Sequence, residues 1–275
     1  MAEYDILPVF VFDGKPPELK MRTLRERRSC RERARKEWEE AVQRKDLATA
    51  WSKAVRMNSL TQPMQDDARK VLELLGIPCV QAPEEAEAQA AYMAMQGDVW
   101  AANSRDYDSI LFGSPRLVRY VTISGQEFLP SRGLTRPLVP ELIELEELLK
   151  HLEITREQLV DMAVLIGTDF NKGAKGVGPK TALKLIKQYH SLEALPDRCR
   201  TLVDESVEQV REIFMKPAVT SEYEIRYAGL KEDELRQFLC EERGFSKERV
   251  ELAIQRMSEF YVRRRSTLTT WLGKD

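Results

Sequence analysis

Six acidic residues carry the chemical reading of this chain: Asp13, Glu85, Glu87, Asp106, Asp108 and Asp169. Asp13 lies just past the apolar run Ile6–Phe12, Glu85 and Glu87 follow Ile77–Val80, and Asp106 and Asp108 follow Val99–Ala102. If those runs are strands of one parallel sheet, their carboxyl ends share an edge, the edge where ligands bind in α/β folds. Five carboxylates then converge, and Asp169 can join them from a later helical region. So many like charges do not stay ionised together without cations between them. With no His or Cys nearby, oxygen-only ligation favours Mg²⁺ or Mn²⁺ over zinc. Two such ions about 3.5–4 Å apart suit hydrolysis of a phosphodiester. Alone, Glu85 and Glu87 would merely favour a helix N-terminus; the convergence of three strand ends favours the metal reading.

A second segment addresses phosphate. Gly176-Val-Gly178-Pro-Lys180-Thr181 leads into the apolar helical pattern Ala182–Tyr189, with Lys175 beside it. Glycines let a backbone approach a phosphate, and the following helix N-terminus offers free N–H groups. A helix-hairpin-helix element holds a nucleic-acid backbone in this way, without reading bases.

The elements that must position these residues alternate. Ile6–Phe12 is a continuous β-branched and aromatic run, the mark of a buried parallel strand, and it ends in the turn cluster Asp13–Pro17. Helical pattern follows from about Glu18 to Gly76, with a break near Thr61-Gln-Pro63. Ile77–Val80 is a second strand, Pro83 opens a helix that runs to about Gln96, Val99–Ala102 is a third strand and Leu117–Ile123 a fourth. Strands separated by helical crossovers give an α/β domain with a parallel sheet. After residue 138 the pattern is helical, and Thr155-Arg-Glu-Gln158 is a capping box opening the helix of Leu159, Met162, Ala163 and Ile166.

The charge is uneven. Lys and Arg total 43 and Asp and Glu 45, for a net −2, yet Lys15–Arg56 holds 14 basic and 7 acidic residues. A local excess of +7 on a slightly acidic chain suggests a polyanion-binding element beside a cation-holding site; composition alone equally allows a solvated helix with Glu–Arg pairs. A 43% hydrophobic content in 275 residues opposes extended disorder, and the longest apolar run is far short of a membrane span. Cys30, Cys79, Cys199 and Cys240 form no CxxC pair, so zinc ribbons and disulfide frameworks are disfavoured and reduced thiols of a cytosolic protein expected.

The segments Val11-Phe-Asp-Gly-Lys-Pro-Pro17, Ile77–Gln89, Ser104-Arg-Asp-Tyr-Asp108, Gly167-Thr-Asp-Phe-Asn171 and Gly176-Val-Gly-Pro-Lys180 together resemble the flap endonucleases of the structure-specific 5′ nuclease family, most closely the archaeal members. The resemblance spans essentially the whole chain. It implies a PIN-like parallel-sheet nuclease core over 1–137, including a helical arch over about 18–62 through which a 5′ strand threads. A helical DNA-binding region over 138–260 and a tail over 261–275 would follow. It implies a Mg²⁺-dependent 5′ flap endonuclease with 5′–3′ exonuclease activity on branched DNA in replication and repair. Asp13, Glu85, Glu87, Asp106, Asp108 and Asp169 would be ligands of two Mg²⁺ ions, with Mn²⁺ able to substitute. Lys20 and Arg27, seven apart on one helix face, would be catalytic contacts to the scissile phosphate. Lys175, Gly176, Gly178, Lys180 and Thr181 would hold duplex DNA beside a K⁺ site. The protein would act as a cytoplasmic, nucleoid-associated monomer.

Two departures shape the expectations. Family members carry a segment ahead of the position of Met1 that supplies a strand and a seventh metal aspartate, so six of seven are present. A late start site, a split gene and a true loss would each give this. The chain as written is then expected to bind flap DNA yet cleave poorly, the alternative being a junction-binding, clamp-tethered fragment. At the other end, Ser266-Thr-Leu268-Thr-Thr-Trp271-Leu272 resembles the family's sliding-clamp-binding segment, with Leu268, Trp271 and Leu272 as its apolar plug. Arg265 stands where glutamine is usual, and Leu272 where the last aromatic is usual.

Overall fold

The computed structural model describes all residues except 1–5, 58, 122–124, 130–133, 197–206 and 273–275; the side chains of 56, 128 and 265–272 are also outside the description. The described chain forms two compact units, each assembled from separate stretches of sequence.

The smaller unit combines Met1–Phe12, Ser59–Gln81 and Ser221–Asp275. Strand β1 (Phe10–Phe12) pairs in parallel with β2 (Cys79–Gln81), Val11 opposite Val80. Strand β1 covers only the last three residues of Ile6–Phe12, and β2 starts two residues into Ile77–Val80 and runs on to Gln81. The parallel pair needs a crossover, and α3 (Gln62–Leu74) belongs to it, entered through Pro63 in its first turn. Leu74 packs with Leu235, Phe238, Val250 and Ile254. The last four come from α10 (Glu232–Arg236), a π-helical turn (Gln237–Glu242) and α11 (Lys247–Leu272). Tyr261 fixes the long helix, its hydroxyl donating to the carbonyls of Leu75 and Gly76.

The larger unit combines Asp13–Asn58 and Ala82–Thr220. Here the expected long helical stretch is α1 (Lys20–Gln43) and α2 (Leu47–Met57), divided at a point the periodicity does not reveal. Lys45 takes a left-handed φ of 57°, and the Asp46 carboxylate accepts from the Thr49 amide to start the next helix. The following elements are α4 (Ala86–Gln96), β3 (Ala102–Asn103), the short α5 (Asp108–Leu111) and β4 (Arg116–Arg119). Strand β3 is parallel to β4, as the crossover rule requires. A hairpin of β5 (Gln126–Leu129) and β6 (Leu134–Pro137) follows, then β7 (Glu141–Glu144), which runs antiparallel to β4. Strand β7 corrects the expectation of helix from residue 138 and adds an antiparallel edge to the β3–β4 sheet, while β5 and β6 form a separate two-stranded hairpin. None of the three shows the period-two alternation of a half-buried strand, which hides them in the sequence.

Helices α6 (Leu145–Leu152), α7 (Arg156–Ile166), α8 (Pro179–Tyr189) and α9 (Val207–Met215) complete the unit. The capping box on α7 forms as expected: Thr155 Oγ1 accepts from the Gln158 amide and Gln158 returns the bond to the Thr155 amide. One core gathers Val160, Val164, Leu165, Phe170, Ala182, Ile186 and Phe214 with Ala88, Ala91 and Phe112. Phe214 is fully buried, its ring centroid 4.9 Å from Phe112 and 5.4 Å from Phe170.

Candidate active site

All six singled-out carboxylates lie in the larger unit, and the local chain geometry explains why. Asp13 is tied to the segment carrying the glutamates. The Gly14 amide donates to the Glu84 carbonyl at 2.6 Å and the Lys15 amide to the Pro83 carbonyl at 3.1 Å. A Cβ on Gly14 would sit 2.2 Å from the Pro83 carbonyl oxygen, so only glycine permits this approach. These bonds keep Pro83 and Glu84 out of the helix. Helix α4 therefore starts at Ala86, three residues later than Pro83 suggested, with Glu85 as its extended N-cap. Asp13 Oδ1 accepts from the Ala86 amide at 2.8 Å, placing a carboxylate against the positive end of α4.

Two neighbouring groups result. The first surrounds Lys20, at the start of α1. Its Nζ lies 2.5 Å from Glu85 Oε2 and 3.7 Å from Asp169 Oδ2. Burial opposes the Lys20 charge, but the bond to Glu85 and the fields of Glu85, Asp169 and Asp13 outweigh it and raise its pKa. One face of α1 continues the contact: Thr23 Oγ1 donates to the Asp169 carbonyl at 2.7 Å and Arg27 donates to Asp169 Oδ1 at 2.6 Å. The expected pairing of Lys20 and Arg27 on one face is thus what the helix presents to the site.

The second group holds Glu87, Asp106 and Asp108. Burial, with the nearby Asp108 and Asp106 charges, pushes Glu87 up to about 7 against a bond donated by Ser104. Burial and the charges of Asp169 and Asp106 push Asp108 up to about 6. Glu85 is also raised by burial, against its bond to Lys20. Elevated carboxyl pKa values in a cluster are the signature of like charges gathered where a cation would relieve them.

Among the described residues, no three His, Cys, Asp or Glu side chains lie close enough together to ligate one ion. Instead, the ammonium of Lys20 lies between Glu85 and Asp169, and the guanidinium of Arg27 meets Asp169 from α1. The donor set still fits hard divalent ions, since every candidate ligand is a carboxylate oxygen.

Side chains without an assigned role in the sequence reading hold the ligand loops. Arg119, 7% exposed, is one. Its guanidinium donates to the Arg105 carbonyl at 3.0 and 2.8 Å and to the Tyr107 hydroxyl at 2.6 Å, and it stacks on the Tyr107 ring at 4.0 Å. It thereby sets the course of the chain through Asp106 and Asp108. A lone arginine inside the apolar run Leu117–Val121 was the available signal. Asn171, 3% exposed, does the same for Asp169. Its Oδ1 accepts from the Thr168 amide and hydroxyl, and its Nδ2 donates to the Val164 carbonyl. Gly167 and Gly173 close the loop: a Cβ on Gly173 would lie 2.4 Å from the Gly167 nitrogen.

The candidate phosphate loop lies between α7 and α8. Lys175, Gly176, Lys180 and Thr181 are exposed, Gly178 partly so, and Gly176 has a left-handed φ of 82°. Gly178 is the N-cap of α8 and offers no side-chain cap, leaving the first amides of that helix open, while Ala182 and Ile186 anchor its other face. The side chains of Leu268, Trp271 and Leu272, singled out at the C-terminus, lie outside the described residues, although the backbone of α11 reaches Leu272. No helix among the described residues is long and apolar enough to cross a membrane.

Comparison with known proteins agrees with this geometry. The XPG N-terminal domain matches residues 1–34 and the XPG I-region residues 76–169, a span that contains five of the six carboxylates. The chain is 44% identical over 276 residues to flap endonuclease 1 of Pyrococcus horikoshii, covering 100% of this chain and 80% of that protein. It is 47% identical over 261 residues to flap endonuclease 1 of Caldivirga maquilingensis, covering 94% and 75%. Among solved structures, flap endonuclease-1 from Methanococcus jannaschii superposes with a TM-score of 0.70 at 36% identity, over 96% of this chain and 78% of that one. The catalytic core of Rad2 in complex with DNA substrate shares the fold, with a TM-score of 0.68 at 22% identity. With relatives this similar over most of their own length, the chain belongs to the flap endonuclease 1 family.

Proposed function

We propose that this chain acts on branched DNA as a structure-specific 5′ flap endonuclease with 5′–3′ exonuclease activity, through two Mg²⁺ ions held by Asp13, Glu85, Glu87, Asp106, Asp108 and Asp169. The observation that carries the proposal is the α1 face on which Lys20, Thr23 and Arg27 meet Glu85 and Asp169. Bound ions supply Lewis-acid stabilisation of the attacking and leaving oxygens. With those carboxylates committed to ions, Lys20 and Arg27 would be free to hold the scissile phosphate. Thr23, whose partner is a backbone carbonyl, keeps the helix over the site. The exposed loop of Lys175, Gly176, Gly178, Lys180 and Thr181, with a K⁺ ion, grips the duplex by its backbone, and the C-terminal Leu268, Trp271 and Leu272 tether the enzyme to a sliding clamp. Mn²⁺ can replace Mg²⁺ in an all-oxygen site.

Replacing Asp108 by alanine tests the assignment. Single-turnover cleavage of a labelled flap substrate in Mg²⁺ should fall at least about 10²-fold, since misplacing a reacting group by 1 Å costs that much. Junction affinity, governed by the glycine loop and the basic arch, should stay within a factor of about two. Wild-type cleavage by Asp108→Ala would remove that residue from the metal set.

A further inference from the structure

A serine hydroxyl has one proton to donate and lone pairs with which to accept. Ser104, the residue after β3, uses both capacities inside the candidate site. Its Oγ donates to Glu87 Oε1 and accepts from the Asp106 amide at 3.1 Å. Its own amide donates to the Val118 carbonyl at 3.3 Å, which ties it to β4. One half-buried residue therefore joins three pieces of chain: α4 through Glu87, the sheet through β4, and the loop that carries Asp106 and Asp108.

The other carboxylates of the site show what such a contact does. Glu85 is held by Lys20, Asp169 by Arg27, and Asp13 by the Ala86 amide. Glu87 takes its hydrogen bond from Ser104, with the like charges of Asp108 and Asp106 nearby. A glutamate has three side-chain torsions, and leaving them free adds an ordering cost when an ion binds. A donor on one carboxylate oxygen removes much of that freedom and leaves the second oxygen for ligation. The character of the donor matters as well. Lys20 and Arg27 are cations, and an arriving metal ion repels them. A neutral hydroxyl is not repelled, so its bond is compatible with an occupied site.

We infer that Ser104 is a positioning residue, whose hydroxyl holds Glu87 and the Asp106 loop in the relative placement that a divalent ion uses. The inference rests on the ligand set proposed above, to which Glu87 and Asp106 belong.

The test compares the full chain with Ser104→Ala, which removes the hydroxyl, and Ser104→Thr, which keeps it. Mn²⁺ is titrated without DNA and the free ion followed by electron paramagnetic resonance, a readout that needs no cleavage. Ser104→Ala should weaken Mn²⁺ binding about 10-fold or more, the scale of losing a hydrogen bond behind a metal ligand. Ser104→Thr should restore most of the affinity. Junction affinity in EDTA should be the same for all three. Single-turnover cleavage by Ser104→Ala should be low in dilute Mg²⁺ and recover as Mg²⁺ is raised. Equal Mn²⁺ affinity in Ser104→Ala and the wild type overturns this inference and leaves the ligand set standing. Equal losses in Ser104→Ala and Ser104→Thr overturn it too, since shape rather than the hydroxyl would then matter. A wild type that binds no Mn²⁺ overturns the ligand set and the role of Ser104 with it. A wild type whose Mn²⁺ affinity depends on Ser104 but which cuts no flap supports the positioning role and overturns the nuclease reading.

Discussion

Two helical hairpins in the larger unit, α1–α2 and α7–α8, are built in opposite ways. Around α7–α8 the chain buries Val160, Val164, Leu165, Phe170, Ala182 and Ile186 against Phe214 and Phe112. In α1–α2 the buried apolar side chains are Ala34, Ala41 and Ala50, and the helices otherwise carry surface ion pairs. Only the first two turns of α1 are fastened to the site, through Lys20, Thr23 and Arg27. Stability is not uniform across a fold, and segments with few buried apolar contacts open at lower free energy. A duplex grip benefits from a fixed backbone, whereas an element that must admit a strand benefits from adjustability.

Breaking the buried hairpin gives the largest expected change. Phe214→Ala removes a fully buried ring that touches both Phe112 and Phe170, and should cost about 3–5 kcal/mol of unfolding free energy in a denaturant titration. Because Phe170 adjoins Asp169, cleavage should fall with it even well below the unfolding midpoint. A loss under about 1 kcal/mol would mean that this core can collapse around the gap, and that the two hairpins differ less than their burial indicates.

How much of this contrast is readable in the sequence depends on the kind of signal. The capping box Thr155–Gln158 and the apolar face of α8 are local patterns, and each appears where expected. Asp13 and the pairs Glu85/Glu87 and Asp106/Asp108 do follow β1, β2 and β3 in the chain, but β1–β2 and β3–β4–β7 are separate sheets rather than the one parallel sheet expected, and β3 starts three residues later than Val99. The division between α1 and α2 is not local in that sense. Arg44-Lys45-Asp46 contains neither glycine nor proline, and only the left-handed Lys45 marks the turn. Strands β5–β7 are not legible because Gln126–Leu129, Leu134–Pro137 and Glu141–Glu144 show no period-two alternation of apolar and polar residues. Within the site, the carboxylates were legible by type and spacing. Arg119 and Thr23 were not, since their value lies in contacts to residues distant in sequence. The carboxylates also do not gather into one ion-sized cluster among the described residues: Lys20 lies between Glu85 and Asp169, a state the composition of the site could not predict.

A second, smaller effect sharpens the comparison electrostatically, on the buried side. Burial holds Glu87 near 7, against an ordinary 4.5, so in the fold it keeps its proton where the unfolded chain has lost it. The native state then binds more protons than the unfolded state between about pH 4.5 and 7, and stability falls as pH rises through that window. Asp108 adds the same sign between 3.8 and about 6. In chelator, Glu87→Gln should flatten this decline and match the wild type near pH 4.5. Parallel curves for the two proteins would show that Glu87 is not held neutral in the fold.

The smallest effect on stability comes from the exposed hairpin, and it separates folding from binding. Arg28 is 78% exposed and pairs with Glu32 four residues on, at 3.0 Å. Such a pair contributes no more than about 0.5 kcal/mol and fades with salt. Arg28→Ala should therefore leave the unfolding free energy almost unchanged. If the arch arginines instead serve phosphates, the same substitution removes one released counterion, and the slope of log affinity against log salt should become shallower by about 0.7 for a single strand. The two measurements together separate the roles. A residue that matters for the fold alters stability and leaves the slope alone, while a residue kept for a polyanion does the reverse. An unchanged slope together with unchanged stability would assign Arg28 to solvent, and the excess of seven positive charges over Lys15–Arg56 would then owe its DNA affinity to the other arginines of α1.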